Sequence, residues 1–184
     1  MRNVVRSAVL IAFSVACGYA KLILFPYLFF VELFTMAVFL SGALVGSAWG
    51  AWVGAAARLV FSVANPLGPP HPWILLAQVA GGAAVGALGG AAGRWYLLPP
   101  GRSPVAGGRR TALLLGCGLL ATLAYDLLTN LAQGFVFGSI PAALVLGALP
   151  SAQHLGSNLV IFAIVGNLAF PWLERHPSVA SRGA

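Results

Sequence analysis

Charge is what this chain has least of. Only 7% of its 184 residues are charged, and three of those are acids: Glu32, Asp126 and Glu174. With 60% hydrophobic residues and a mean hydropathy of +0.93, there is no room for a solvated soluble domain beside the apolar segments. Cysteine is nearly absent as well. Cys17 and Cys117 fall in opposite leaflets of the threading below, too far apart for the Cα separation of about 7 Å that a disulfide tolerates, and they read as small buried hydrophobes. The chain also lacks HExxH, GxSxG, GxxxxGK[ST] and CxxC, so zinc hydrolysis, a nucleophile elbow and nucleotide binding are not encoded. His154 has no cysteine or further histidine nearby to share a metal. No enzyme activity, cofactor or metal is expected.

What the chain has instead is long apolar runs. A bilayer core of about 30 Å needs about 20 helical residues, and six runs qualify, at 3–24, 29–46, 47–64, 73–97, 111–137 and 151–173. The expectation is an all-α integral membrane protein, one six-helix transmembrane domain over 1–184, with a tight turn at Gly46-Ser47 dividing the second and third spans. Arg2 and Arg6 before an apolar run could also mark a secretory signal. Five later spans argue against a soluble mature protein, so the run reads as a retained first membrane helix.

The basic residues set the orientation. Threading six spans from an inside N-terminus puts Arg2, Arg6, Arg94, Arg102, Arg109, Arg110, Arg175 and Arg182 on one side, which is eight of the ten Lys and Arg. The positive-inside rule makes that side cytoplasmic, with both termini in. The net charge of +7 therefore reports topology; acidic lipid head groups suffice as partners, and no nucleic acid is implied. The Pro-, Gly- and Arg-rich stretch 98–110 reads as a cytoplasmic loop. NPLGPPHP (65–72) is a stiff outer connection, and FPYLFF (25–30) an aromatic outer turn. Residues 138–150, bounded by Pro141 and Pro150, are too short to span and read as a separate short helix or lid over the outer face.

Small residues recur at every fourth position: Ala8, Ala12, Ala16 and Ala20 in the first run; Gly42, Gly46, Gly50 and Gly54; and Gly82, Gly86 and Gly90. Such stripes let helix backbones approach where lipid supplies no hydrophobic drive. Intramolecular packing explains the glycines, although the turn at Gly46 breaks their first stripe. The alanines, on a terminal helix, could equally face a partner subunit.

The polar residues converge at one depth. Asp126 lies about 22 Å into its span and Arg58 about 16 Å into an outward-going one. Asn130 follows Asp126 at i+4, and His154 and Asn158 form a second i,i+4 pair. Glu32 opens the second span, and Gln78 lies within two turns of the outer end of the fourth. Ionisable groups in hydrocarbon normally mark a pathway or binding site, and this outer-half cluster suits a pocket open to the exterior. Two alternatives stand beside a site: an ion pair of Arg58 with Asp126 or Glu32, and amides that only glue helices together.

With six short spans, the Ala8-x3-Ala12-x3-Ala16 stripe, VELFTMAVFLSGALVG before NPLGPPHP, YDLLTN (125–130) and HLGSN (154–158), the chain resembles the substrate-binding S components of energy-coupling factor (ECF) vitamin importers. The resemblance implies a subunit of a bacterial inner-membrane ABC importer that binds a vitamin or related micronutrient near the outer surface. It implies a transmembrane coupling subunit, met by Ala8, Ala12 and Ala16, and two ATPase subunits as partners. It also implies that Glu32, Arg58, Asn65, Gln78, Asp126, Asn130, His154 and Asn158 serve the substrate. The competing readings are a stand-alone proton-coupled carrier using Asp126 and a structural membrane protein held by its glycine ladders. Poor polarity in the inner half disfavours the carrier, which needs an inward path as well.

Overall fold

The computed structural model describes residues 2–24, 33–66, 68–97 and 105–176. Among them the chain is all helical: α1 (Arg2–Leu24), α2 (Leu33–Val45), α3 (Ser47–Val63), α4 (Pro72–Ala92, continued by a π-helical turn over Gly93–Leu97), α5 (Gly107–Phe137) and α6 (Ile140–Arg175). Four helices are long and apolar enough to cross a membrane: α1, α4 with its π turn, α5 and α6. Of the six expected spans, α2 and α3 are shorter, at 13 and 17 residues, about 20 and 26 Å at helical rise. Residues 29–32 of the expected second span lie outside the described residues.

Two expected boundaries change. The 98–110 loop is shorter than expected, because Gly107–Arg110 form the first turn of α5. Residues 140–150 are no separate lid; they are the first three turns of the 36-residue α6. Gly138, at φ +79°, takes the left-handed position that ends α5, and Ser139 then caps α6 by accepting from the Ala142 N–H. Pro141 sits in the first turn, where its missing N–H leaves no bond unmade. Pro150 falls inside the helix. Interior proline is tolerated in apolar helices whose freed carbonyl is re-satisfied by neighbours, so the two prolines do not bound a separate element.

The expected corner between α2 and α3 is a single residue, Gly46, at φ +88°. The helices form a V, and α4 lies in it. A Cβ at Gly42 or at Gly50 would meet the Gly86 carbonyl, one at Gly86 the Gly50 carbonyl, and one at Gly54 the Gly82 carbonyl. The corner therefore does not break the stripe, since both arms of the V press on one glycine ribbon of α4.

At the centre is α2, buried from Phe34 to Phe39. Its Phe39 ring packs 5.0 Å from Phe162 and 6.4 Å from Phe170 of α6. The periphery is apolar too. Val160, Ile164, Leu168 and Trp172 form an exposed i+4 row on α6, and Leu120, Leu123, Leu127 and Leu131 an exposed row at steps of three and four on α5. Continuous apolar stripes outside and polar side chains inside are compatible with membrane insertion.

Chain direction puts Arg94, Arg109, Arg110 and Arg175 at one end of the bundle, the arginine end, and the α3–α4 and α5–α6 connections at the other. At the arginine end, Arg110 donates to both Glu174 oxygens, at 3.0 and 3.1 Å, and to the Val105 carbonyl at 2.8 Å. This clamps the start of α5 to the finish of α6.

Candidate functional site

The polar residues of α5 and α6 meet across an antiparallel seam. The Asn167 amide donates to Thr111 Oγ1 at 2.9 Å, and the Asn158 amide to Thr122 Oγ1 at 2.8 Å. His154 Nδ1 meets Asp126 Oδ1 at 2.8 Å, and the Asn130 amide donates to Ser151 Oγ at 3.2 Å. The step from Thr122 to Asp126 on α5 meets the step from Asn158 to His154 on α6, and Asn130 follows on Ser151, so the two pairs read from the sequence fall on one line. An ionised Asp126 makes Nδ1–H the donor, which leaves Nε2 of a neutral His154 as an acceptor.

Arg58 approaches from α3. The α3–α4 register pairs Gly50 with Gly86 and Gly54 with Gly82; continued by one turn, it sets Arg58 level with Gln78. A Cβ at Gly82 would lie 2.9 Å from the Arg58 Cβ, and one at Gly81 2.5 Å from the Tyr125 ring. Glycine at both positions lets α4 admit these two large side chains. The Arg58 guanidinium, only 7% exposed, lies 4.1 Å from the Phe34 ring centre, 4.5 Å from Tyr125 and 5.8 Å from Phe61. Among the described residues it has no carboxylate within 4 Å, and Asp126 is engaged by His154 instead. Tyr125 is the hinge of the arrangement, since its ring also meets that of His154 edge-on at 6.1 Å.

Arg58, Asp126 and His154 thus gather around Tyr125 and the Gly81–Gly82 notch, and Gln78 lies one turn along the same face of α4. Asn130 lies one turn toward the α5–α6 connection. It lines a cavity of about 380 Å³ between the last turns of α5 and the first of α6, with Gln133, Phe137, Ser139 and Gly147. Asn158 lies one turn the other way and is fully buried. Asn65 follows α3 in the connection to α4, where its carbonyl accepts from the Gly68 N–H at 2.9 Å. Glu32 lies outside the described residues. Ala8, Ala12 and Ala16 lie on the exposed side of α1, while Ser7, Ser14 and Gly18 face the bundle.

Buried polar atoms are almost always hydrogen-bonded, yet among the described residues five expected site residues hold a buried atom with no partner: Arg58 Nε, Gln78 Oε1, Asp126 Oδ2, His154 Nε2 and Asn158 Oδ1. No family model, curated protein or solved structure matches the chain.

Sequence reasoning missed Phe34 and Tyr125. Tyr125 adjoins Asp126, but nothing in the sequence said that an aromatic next to an acid would lie against a cation from another helix. No three His, Cys, Asp or Glu side chains cluster as metal ligands among the described residues. The arrangement offers hydrogen-bond donors and acceptors in an apolar surround, which suits recognition.

Proposed function

We propose that this chain is the substrate-capture S subunit of an ECF-type importer in the bacterial inner membrane. In this reading it spans the membrane six times, with both termini cytoplasmic, and binds a vitamin or related micronutrient from outside. A transmembrane coupling subunit and two ATPase subunits then supply the energy. The observation that carries it is the set of buried polar atoms without protein partners on Arg58, Gln78, Asp126 and His154, contributed by α3, α4, α5 and α6. Such atoms are costly unless something bonds them. The exposed Ala8, Ala12 and Ala16 leave α1 a smooth face for the coupling subunit.

Purified protein in nanodiscs, denatured and extracted, is expected to release a small molecule near one per chain by mass spectrometry. Arg58→Ala and Asp126→Asn should each weaken its rebinding by about tenfold or more, the scale of a charged hydrogen bond, while the protein still inserts. Unchanged affinity in both variants would move the site elsewhere.

The half-buried Asp126–His154 pair favours one second reading, a proton-coupled carrier. Uptake into liposomes holding this chain alone, driven by a pH gradient, would select that reading over the first.

A further inference from the structure

Arg58 restricts what the site can accept. It is a buried cation whose surroundings are rings, at 4.1, 4.5 and 5.8 Å. Ring faces attract the charge but do not accept a fork of in-plane N–H bonds as a carboxylate does. Among the described residues its Nε has no acceptor, and no carboxylate lies within 4 Å. The remaining partnerless atoms at the notch have a different character. Gln78 Oε1 and Asp126 Oδ2 are acceptors, and His154 Nε2 joins them in the neutral ring.

We propose that the captured molecule is a small monoanionic carboxylate that also carries N–H donors. Its carboxylate forks onto the Arg58 guanidinium, and its N–H groups donate to Gln78 Oε1 and Asp126 Oδ2. The proposal rests on the capture reading and adds the ligand's chemical class to it.

The single guanidinium fork selects one carboxylate. Asp126 is already engaged by His154, so Arg58 is the one cation at the notch without a carboxylate partner among the described residues. A phosphate dianion would bring two negative charges beside Asp126 against Arg58 alone among the described residues at the notch. A cationic ligand would be repelled by Arg58, and one without a carboxylate would leave its buried Nε–H unmet in an apolar surround, where the cost is high. Size follows from Tyr125. One ring touches the guanidinium at 4.5 Å and the His154 ring at 6.1 Å, so a compact molecule reaches both ends.

The test uses the full chain purified in nanodiscs beside Arg58→Gln, Arg58→Lys and Asp126→Asn. The molecule released by denaturation is weighed before and after methylation of acids and acetylation of N–H groups. The expected result is a wild-type-bound molecule that gains one methyl ester and at least one acetyl group. Arg58→Gln and Arg58→Lys should retain about tenfold less of it, because lysine keeps the charge but loses the fork. A retained molecule that takes no methyl ester overturns the carboxylate inference and leaves the capture reading standing. Equal retention by wild type and Arg58→Lys does the same for the fork. No retained molecule in the wild type overturns both. Should Arg58→Gln fail to fold, methylation of the wild-type extract still decides.

Discussion

Asn158 is fully buried and gives its amide N–H to Thr122, while its carbonyl oxygen has no partner. One side chain thus serves both alternatives that its sequence position allowed, helix glue and an open acceptor. The two roles separate by measurement. In a double-mutant cycle of Asn158→Ala and Thr122→Ala, read by reversible unfolding in bicelles, the coupling is expected at about 0.6 kcal/mol, with about 1.7 as a ceiling, as interhelical bonds in membranes give. A coupling of zero would mean that the 2.8 Å bond does not hold α5 to α6. Asp126 and His154 pair in the same way, so replacing either is expected to disturb both binding and packing. Arg58 differs, because rings surround it and no described carboxylate does. Its loss should weaken binding more than it weakens the fold.

The glycine ribbon governs the elements. Gly86 touches both arms of the α2–α3 V, backbone against backbone, so Gly86→Ala has no flexible side chain to displace. It is expected to cost about 1–3 kcal/mol, the range for overpacking, read as a fall in the midpoint of thermal or denaturant unfolding. Gly116 is the control: a Cβ there meets nothing within 4 Å. Gly116→Ala should be neutral or stabilise α5 by up to about 1 kcal/mol through helix propensity. Equal effects at the two positions would refute the backbone contact. The spacing of these glycines was legible in the sequence, and so was the corner at Gly46. What spacing could not say was that one helix fills the V, so that residues on either side of a turn share a partner.

For the molecule as a whole, the arginine end collects Arg94, Arg109, Arg110 and Arg175, and the opposite end carries the 64–71 and Gly138-Ser139 connections. If the arginine end is cytoplasmic, membrane-impermeant thiol reagents applied to intact cells should label His71→Cys and spare Arg109→Cys, with Cys17 and Cys117 replaced by alanine. Inverted vesicles should reverse the pattern. Labelling of Arg109→Cys from outside would overturn the N-in, C-in orientation. Both positions are exposed, so accessibility is set by sidedness. The α5–α6 hairpin bears on the same geometry. At 31 and 36 residues its helices run about 46 and 54 Å, beyond a hydrocarbon core of about 30 Å, so the tip with its 380 Å³ cavity would stand clear of the bilayer core.

The sequence alone determined that this protein is helical, with apolar runs long enough to cross a membrane. Apolar run lengths, the scarcity of charge and the one-sided arginines are sums over many residues, and no single contact can change them. It also located the residues worth suspecting, because a charge in an apolar run is costly wherever the run packs. Partnership was decided only in three dimensions. Nothing in the spacing of Asp126 says whether it meets Arg58 or His154; the register of α5 against α6 gives it His154, and the Gly81–Gly82 notch in α4 leaves Arg58 to Phe34 and Tyr125. The face of α1 that holds the alanines was settled in the same way, since helical spacing defines a stripe but not the side it turns to the bundle. Composition and periodicity act along the chain, whereas pairing depends on the rotation and offset of helices far apart in sequence.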